Sequence, residues 1–289
     1  MLSSYTDIKS FLAPSYQKCI YCNQILLKSC EICSDLYFYC EACQVYTNWN
    51  SHTILQQSRL LLTQVEKLLI IFLDKKTSAD ACSILKYSFV NDKLNINTTR
   101  RYFSLFCQIT LDYYEDQMAS ILLDKEVEID ETHLYREKKS SAPHRPYKLS
   151  SIWLFGMKQR QSSKFFIIPL KNREESTLIP YIRKHVKMGS TVYSDSFSVY
   201  VNNHRKTSKL AQYKYVHYFI NHKLEFLSQV SEEIHTNSIE GIWHEVKQDL
   251  KKRRTTSKYM FAIARFYFHK TLSKEQQIRL LSMNLTKLL

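Results

Sequence analysis

The chain has 289 residues, 44% of them hydrophobic, and its 41 Lys and Arg outweigh 27 Asp and Glu to give a formal net charge of +14. That length allows one large domain or two to three modest ones with a real core, and only 3 Gly and 5 Pro argue against long disordered linkers. The positive excess selects polyanions as partners, nucleic acid ahead of an anionic membrane, and the longest apolar run, Leu68 to Leu73, is far too short to span a bilayer.

The N-terminus, MLSSYTDIKSFL, lacks the apolar stretch of a secretory signal. A soluble, intracellular protein is expected, in the nucleus of a eukaryote or the cytoplasm and nucleoid of a bacterium. In a reducing compartment, thiols serve metals more readily than disulfides. Six of the eight cysteines fall in CIYCNQILLKSCEICSDLYFYCEAC as three CxxC pairs: Cys19/Cys22, Cys30/Cys33 and Cys40/Cys43. Two CxxC turns complete a tetrahedral zinc site. Cys19, Cys22, Cys40 and Cys43, with 17 residues between the pairs, have the spacing of a zinc ribbon. Cys30 and Cys33 would then lie on the intervening hairpin, spare or holding an alternative site. A two-zinc six-thiolate cluster and disulfides are the competing readings. Cys82 and Cys107 read as buried core thiols.

From Ser58 onwards, Leu61, Val65, Leu68, Leu69 and Phe72 recur at helical spacing. A short helix follows over TSADACSILKYSF. A further one over NINTTRRYFSLFCQITLDYYEDQ has Asn97 or Thr98 as N-cap. Two short helices of this kind, the second opening with Arg100 and Arg101, resemble a helix-turn-helix. A plain helical bundle accounts for the same pattern, and the two arginines would reach DNA phosphates in either geometry.

Near Asp124 the period changes. KEVEIDETHLYREK alternates as a strand does, SSIWLFGMKQR and KFFIIPLKNR supply two more, and Glu174 to Val186 forms a helix that Pro180 kinks or delays. STVYSDSF and YKYVHYFINHK are further strands, and His235 to Arg254 is a helix with an apolar stripe of Ile239, Ile242, Val246 and Leu250. Three strands, helix, strand, helix, strand, helix is the order of an RNase H-like domain: a mixed sheet flanked by helices. In that arrangement the middle of the first strand, the end of the fourth and the last helix meet, and Asp130, Asp195 and Glu240 occupy those three places.

Three acids at one point repel unless cations separate them. Two Mg or Mn ions, about 3.5–4 Å apart in such sites, would be held by Asp130, Asp195 and Glu240 for attack on a phosphodiester. Lys247 lies two turns beyond Glu240 and would meet a DNA phosphate near the cut. Lys251, Lys252, Arg253 and Arg254 extend a basic stripe that would track the backbone. Glu128 is expected to point the same way as Asp130 and to play a hydrogen-bonded supporting part. His133, His217, His222, His235 and His244 are candidates to hold phosphate or order the acids. Asn237 is a cap candidate, and Trp153 and Trp243 read as core.

Taken in order, EIDETH, WLFGMKQR, GSTVYSDSFSVY, YVHYFINH and HTNSIEGIWHEVK resemble the core of Merlin-type DDE transposases and related bacterial insertion-sequence transposases, from about Val127 to Phe268. The resemblance implies a cut-and-paste DNA transposase. It places the catalytic acids on Asp130, Asp195 and Glu240 and an additional family lysine on Lys247. The N-terminal ribbon and helical segment fit the family layout more loosely. The implied division is a zinc ribbon with one structural zinc at 1–55, a helix-turn-helix-like DNA-binding segment at 56–120, and an RNase H-like catalytic domain at 121–289. Partners would be double-stranded DNA, as terminal inverted repeats and target, and further copies in a homo-oligomer, with no membrane. A transposase-derived DNA-binding protein without catalysis and an RNase H-like nuclease are the alternatives.

Overall fold

A computed structural model describes residues 8–32, 35–85, 94–135, 152–202, 207–220, 235–250 and 259–287. They fall into two compact units, one of residues 1–112 and 268–289, the other Tyr113–Tyr267.

The first unit opens with α1 (Ile8–Leu12), followed by a two-stranded ribbon, β1 (Gln17–Lys18) and β2 (Ile25–Leu26), and an antiparallel sheet of β3 (Ser29–Ile32), β4 (Asp35–Cys40) and β5 (Val45–Asn48). Helix α2 (Leu62–Leu73) buries Leu62, Val65 and the whole apolar run Leu68–Leu73. Its stripe runs as expected from Val65, but Leu61 sits at the N-cap, where Leu62 takes over the buried place. Buried Asp35 joins sheet to helix: its carboxylate accepts from Asn48 Nδ2 at 2.9 Å and from the free N–H of Leu62 at 3.2 Å. Phe72 packs edge-on against Phe103 and Phe106 at 5.6 and 5.2 Å. Helix α3 (Ser78–Leu85) is short, but α4 (Ile96–Ser120) runs for 25 residues, longer than the second short helix expected. Its cap is Asn95 rather than Asn97 or Thr98, because the Asn95 side chain accepts from Asn97 N at 2.8 Å and its carbonyl from Thr99 N at 3.0 Å. Cys82 and Cys107 are half-buried, not sequestered as expected. Helix α8 (Lys274–Thr286) returns to this unit, started by a capping box of Ser273 and Gln276.

The second unit is built on five strands: β6 (Glu126–Tyr135), β7 (Ile152–Gln159), β8 (Phe165–Leu170), β9 (Thr191–Asp195) and β12 (Val216–Ile220). They lie in the order β12-β9-β6-β7-β8, with β6, β7 and β8 antiparallel and β9 and β12 parallel to β6. An antiparallel meander extended on its first-strand edge by two parallel strands is the RNase H-like sheet. Pleating assigns its faces. The row Ile129–Met157–Phe166 looks toward α5 (Glu175–His185), where Phe166 meets His185 at 4.4 Å and Tyr181 at 5.8 Å. The row Asp130–Gly156–Ile167 looks the other way, toward α6 (Asn237–Leu250). Phe165 on that face packs on Phe266 and Tyr267 of α7 (Tyr259–Thr271). Pro180 sits inside α5 without ending it.

One expected helix is absent among the described residues. Between β9 and β12 the chain forms a two-stranded ribbon, β10 (Val201–Asn202) with β11 (Thr207–Ser208), and a 3-10 turn at Leu210–Tyr213. The Asp195 carboxylate accepts from Phe197 N at 3.0 Å and so folds the chain back directly after β9. Val199, Tyr200 and Val201 are then all buried, which leaves no solvent face for an amphipathic helix.

Candidate active site and cysteine centre

Strand register brings the first two acids level. The parallel β6/β9 ladder pairs Val127 with Val192 and Glu128 with Tyr193; two residues further along each strand stand Asp130 and Asp195. Paired positions share a face, so both carboxylates rise on the side that α6 covers. The α6 stripe of Ile239, Ile242, Val246 and Leu250 is buried as expected and seats the helix on the sheet. Glu240 is in its first turn and exposed. The cap here is Thr236, not Asn237: its carbonyl accepts from Glu240 N at 3.1 Å, and its hydroxyl donates to Glu240 Oε1 at 2.9 Å.

Gly156, beside Asp130 on β7, lets α6 come this close. A Cβ there would stand 2.5 and 2.7 Å from Trp243 ring carbons and 2.8 Å from Ile239 Cδ1. Trp243 is buried, as read from the sequence, but its indole also donates to Asp130 Oδ2 at 2.9 Å. Burial pushes the Asp130 carboxyl up to about 6, and the negative charges of Asp195 and Glu240 add to the rise against the Trp243 hydrogen bond. The three acids therefore share one electrostatic neighbourhood. They are not drawn together as tightly as the cysteines described below. Oxygen-only donors that repel one another suit a hard divalent cation such as Mg or Mn.

Two more acids of β6 surround this trio. Glu128 is fully buried, pairs with Arg160 Nε at 2.8 Å, and accepts from Ile239 N at 2.9 Å. It supports the helix that carries Glu240. Glu131 accepts from the buried Tyr200 hydroxyl and lies 3.9 Å from Arg173. Burial pushes Glu131 up to about 8, with Asp130 and Asp195 adding to it. The Arg173 guanidinium lies 3.6 Å over the half-buried Trp153 ring, which also meets His133. His217 has both ring nitrogens bonded to serine hydroxyls, Ser194 at 2.9 Å and Ser208 at 2.8 Å. His235 Nδ1 is 3.6 Å from Glu128, and His244 bonds Gln248 on the exposed side of α6.

Lys247 is half-buried on α6, and Arg100 and Arg101 are exposed in the first turns of α4. Lys251, Lys252, Arg253, Arg254, His222 and Cys33 lie outside the described residues. Sequence reasoning passed over Gly156, Arg160, Arg173 and Tyr200 as site residues. A signal for one was present: Gly156 is one of 3 glycines in the chain and sits mid-strand, where glycine marks a close approach.

In the first unit, Cys19, Cys22, Cys40 and Cys43 come together, with all four sulfurs within 4.8 Å of one another. Among the described residues they are the group of metal-capable side chains drawn this close. Each CxxC is closed by a left-handed residue, Asn23 (φ 59°) after the first and Gln44 (φ 55°) after the second. Cys22 and Cys40 sulfurs stand 3.7 Å apart, close to the edge of a tetrahedron with metal–sulfur bonds of about 2.3 Å. N–H groups of Cys22 and Tyr21 pull the Cys19 thiol down to about 6, whereas crowding against Cys22 and burial push Cys43 up to about 12. Four thiols competing for so little charge fit a structural metal such as zinc. Cys30 stands apart on β3, and none of the described cysteines is in a disulfide.

Comparison with known proteins agrees with this picture. A transposase-like protein of Haemophilus influenzae, itself described as uncharacterized, is 30% identical over 89 residues, 31% of this chain and 64% of that protein. The chain thus spans just under two thirds of its relative's length. The crystal structure of the Mos1 strand transfer complex is similar at 12% identity and a TM-score of 0.23, over 77% of this chain and 96% of that one. A pre-cleavage Mos1 transpososome gives 11% and 0.22, over 77% and 97%. At such scores the fold assignment rests on the strand order itself. The family that matches by sequence is the ISXO2-like transposase domain, over residues 122–262, the span that holds all three acids. Over that span, just under half of its length, the chain resembles insertion-sequence transposases of the ISXO2-like kind.

Proposed function

We propose that this chain is a metal-dependent DNA transposase that hydrolyses a strand at each end of its element and joins the freed 3′-OH to target DNA. One observation carries the reading: Asp130, Asp195 and Glu240, from three separate elements, lie close enough for Asp130 to feel the charge of the other two. A protein that only binds DNA gains nothing from three carboxylates on the face meant for a polyanion.

Asp130, Asp195 and Glu240 would hold two Mg or Mn ions, and when bound such a pair supplies the positive charge that attacking and leaving oxygens require. Asp130 sheds its proton to take part, and the Trp243 N–H holds one of its oxygens in place. The Thr236 hydroxyl does the same for Glu240. Lys247, seven residues beyond Glu240, returns to nearly the same side of α6 and contacts the phosphate beside the cut. Hydrolysis and joining are both in-line displacements at phosphorus, so one set of side chains serves both.

The segments before the catalytic domain, 1–55 and 56–120, read the terminal inverted repeats. The four-cysteine centre holds one zinc, and Arg100 and Arg101 contact the phosphate backbone. Lys251, Lys252, Arg253 and Arg254 continue that contact beyond α6. Two element ends must be held at once, so the active form is a homo-oligomer.

The test uses the full chain and a supercoiled plasmid carrying the genomic segment that flanks its gene. Mg-dependent nicking at the segment's ends, with joined products, is expected, and Asp195→Ala should abolish both. Nicking that survives in Asp195→Ala excludes the site. Cutting without joining favours a nuclease, and binding without cutting a transposase-derived DNA-binding protein.

A further inference from the structure

Three acids on three elements need their spacing fixed before any cation arrives, since their mutual repulsion drives them apart. One side chain touches two of these elements and the residue two positions ahead of the third. Arg160, just past the end of β7, donates from Nε to Glu128 at 2.8 Å and from its terminal nitrogen to the carbonyl of His235. The flat face of its guanidinium lies 3.6 Å over the Tyr193 ring. Its own backbone N–H donates to Glu126 O at 2.9 Å. Glu128 in turn accepts from Ile239 N at 2.9 Å. Each anchor is a near neighbour of an acid. Glu128 is two residues before Asp130, Tyr193 two before Asp195, and Ile239 directly precedes Glu240.

We infer that Arg160, with Glu128 as its buried counter-ion, is a positioning residue that sets the separation of Asp130, Asp195 and Glu240; this rests on the transposase reading above. Arg160 is a poor DNA contact, because its side chain is only 11% exposed and Glu128 is not exposed at all. Three simultaneous engagements, with a carboxylate, a carbonyl and a ring face, use the planar fork of arginine. A lysine ammonium keeps the charge but cannot make all three. Glu128 has both oxygens committed, one to Arg160 and one to the first turn of α6, so it acts as an anchor and not as a further cation ligand.

The inference is tested on the zinc-loaded full chain without DNA, and then with DNA. In the wild type, the Ile239 amide should exchange with solvent as slowly as that of Glu240, although first-turn amides normally lack an intrahelical partner. In Arg160→Lys, folded by circular dichroism, exchange at Ile239 should quicken. Calorimetric Mn²⁺ affinity should fall by about 10- to 100-fold, the range for loss of a residue that orients metal ligands. With DNA, kcat should fall by about 100-fold while KM for DNA is unchanged, as for acids misplaced by about an ångström. Open exchange of Ile239 in the wild type overturns the inference. So does a variant with unchanged Mn²⁺ affinity and Ile239 exchange, or one whose loss is confined to KM for DNA. If the wild type neither binds Mn²⁺ nor cuts DNA, the transposase reading fails, while the exchange measurements still decide whether Arg160 anchors α6.

Discussion

His217 shows how burial decides what a residue can do. Its ring is held between the hydroxyls of Ser194 and Ser208, and burial holds its pKa down to about 4. Between the ordinary value near 6.5 and that folded value, the unfolded chain binds a proton that the native chain does not. Stability contributed by the neutral ring is therefore complete above pH 6.5 and lost as pH falls towards 4. Melting temperatures measured from pH 7 to 4 should drop over that interval in the wild type, and His217→Gln should flatten this part of the curve. A curve of unchanged shape in the variant would assign the acid sensitivity elsewhere. The sequence marks His217 as one of several histidines near the motifs but cannot show that both its nitrogens are bonded, because Ser194 reaches it through the β9–β12 pairing and Ser208 from the β10–β11 ribbon. Glu128 was more legible: alternation along one strand is enough to put it on the side of Asp130, although its partners are 32 and 111 residues away.

At the scale of elements, α6 and the ribbon make opposite demands. Helix α6 needs empty space beneath it. Gly156→Ala would drive a methyl group into the Trp243 ring and Ile239, and overpacking of this kind costs about 1–3 kcal/mol. Urea unfolding should register that loss. Strand cleavage should fall further than DNA binding, because the displaced indole is the donor to Asp130. Stability and cleavage both at wild-type levels would show that the helix yields without consequence. The ribbon, by contrast, needs something added. Its strands are two to six residues long and bury little apolar surface, too little to hold a fold without a metal. A strong chelator should release one zinc per chain and abolish the ribbon's β-signal. Cys40→Ser should do the same, while Cys30→Ser should leave the zinc content at one. Zinc lost in Cys30→Ser would redraw the ligand set. Periodicity revealed most elements, because apolar spacing directly reflects burial. It failed between β9 and β12, where a side-chain turn at Asp195 and complete burial of Tyr200 replaced an amphipathic face. It also placed the N-cap of α4 at Asn97 or Thr98, past the Asn95 side chain that sets the start.

For the molecule as a whole, the order of strands was enough to name the RNase H-like sheet, in which the β6/β9 register carries Asp130 and Asp195 on one face. What that order does not contain is the web of Arg160, Glu128, Tyr193 and Ile239, whose members lie far apart in the chain and carry no recognisable motif. The family-model match over residues 122–262 spans the strands and the helix that carry the three acids.

The level placement of Asp130 and Asp195 is decided upstream of either acid, where Val127 meets Val192 and Glu128 meets Tyr193. Side chains on a strand alternate sides, so sliding β9 by a single position would turn Asp195 to the opposite surface of the sheet. On the transposase reading proposed above, losing one residue inside Thr191–Asp195 would end strand cleavage while all three acids stayed in the sequence, a lesion of register that an inventory of acids overlooks.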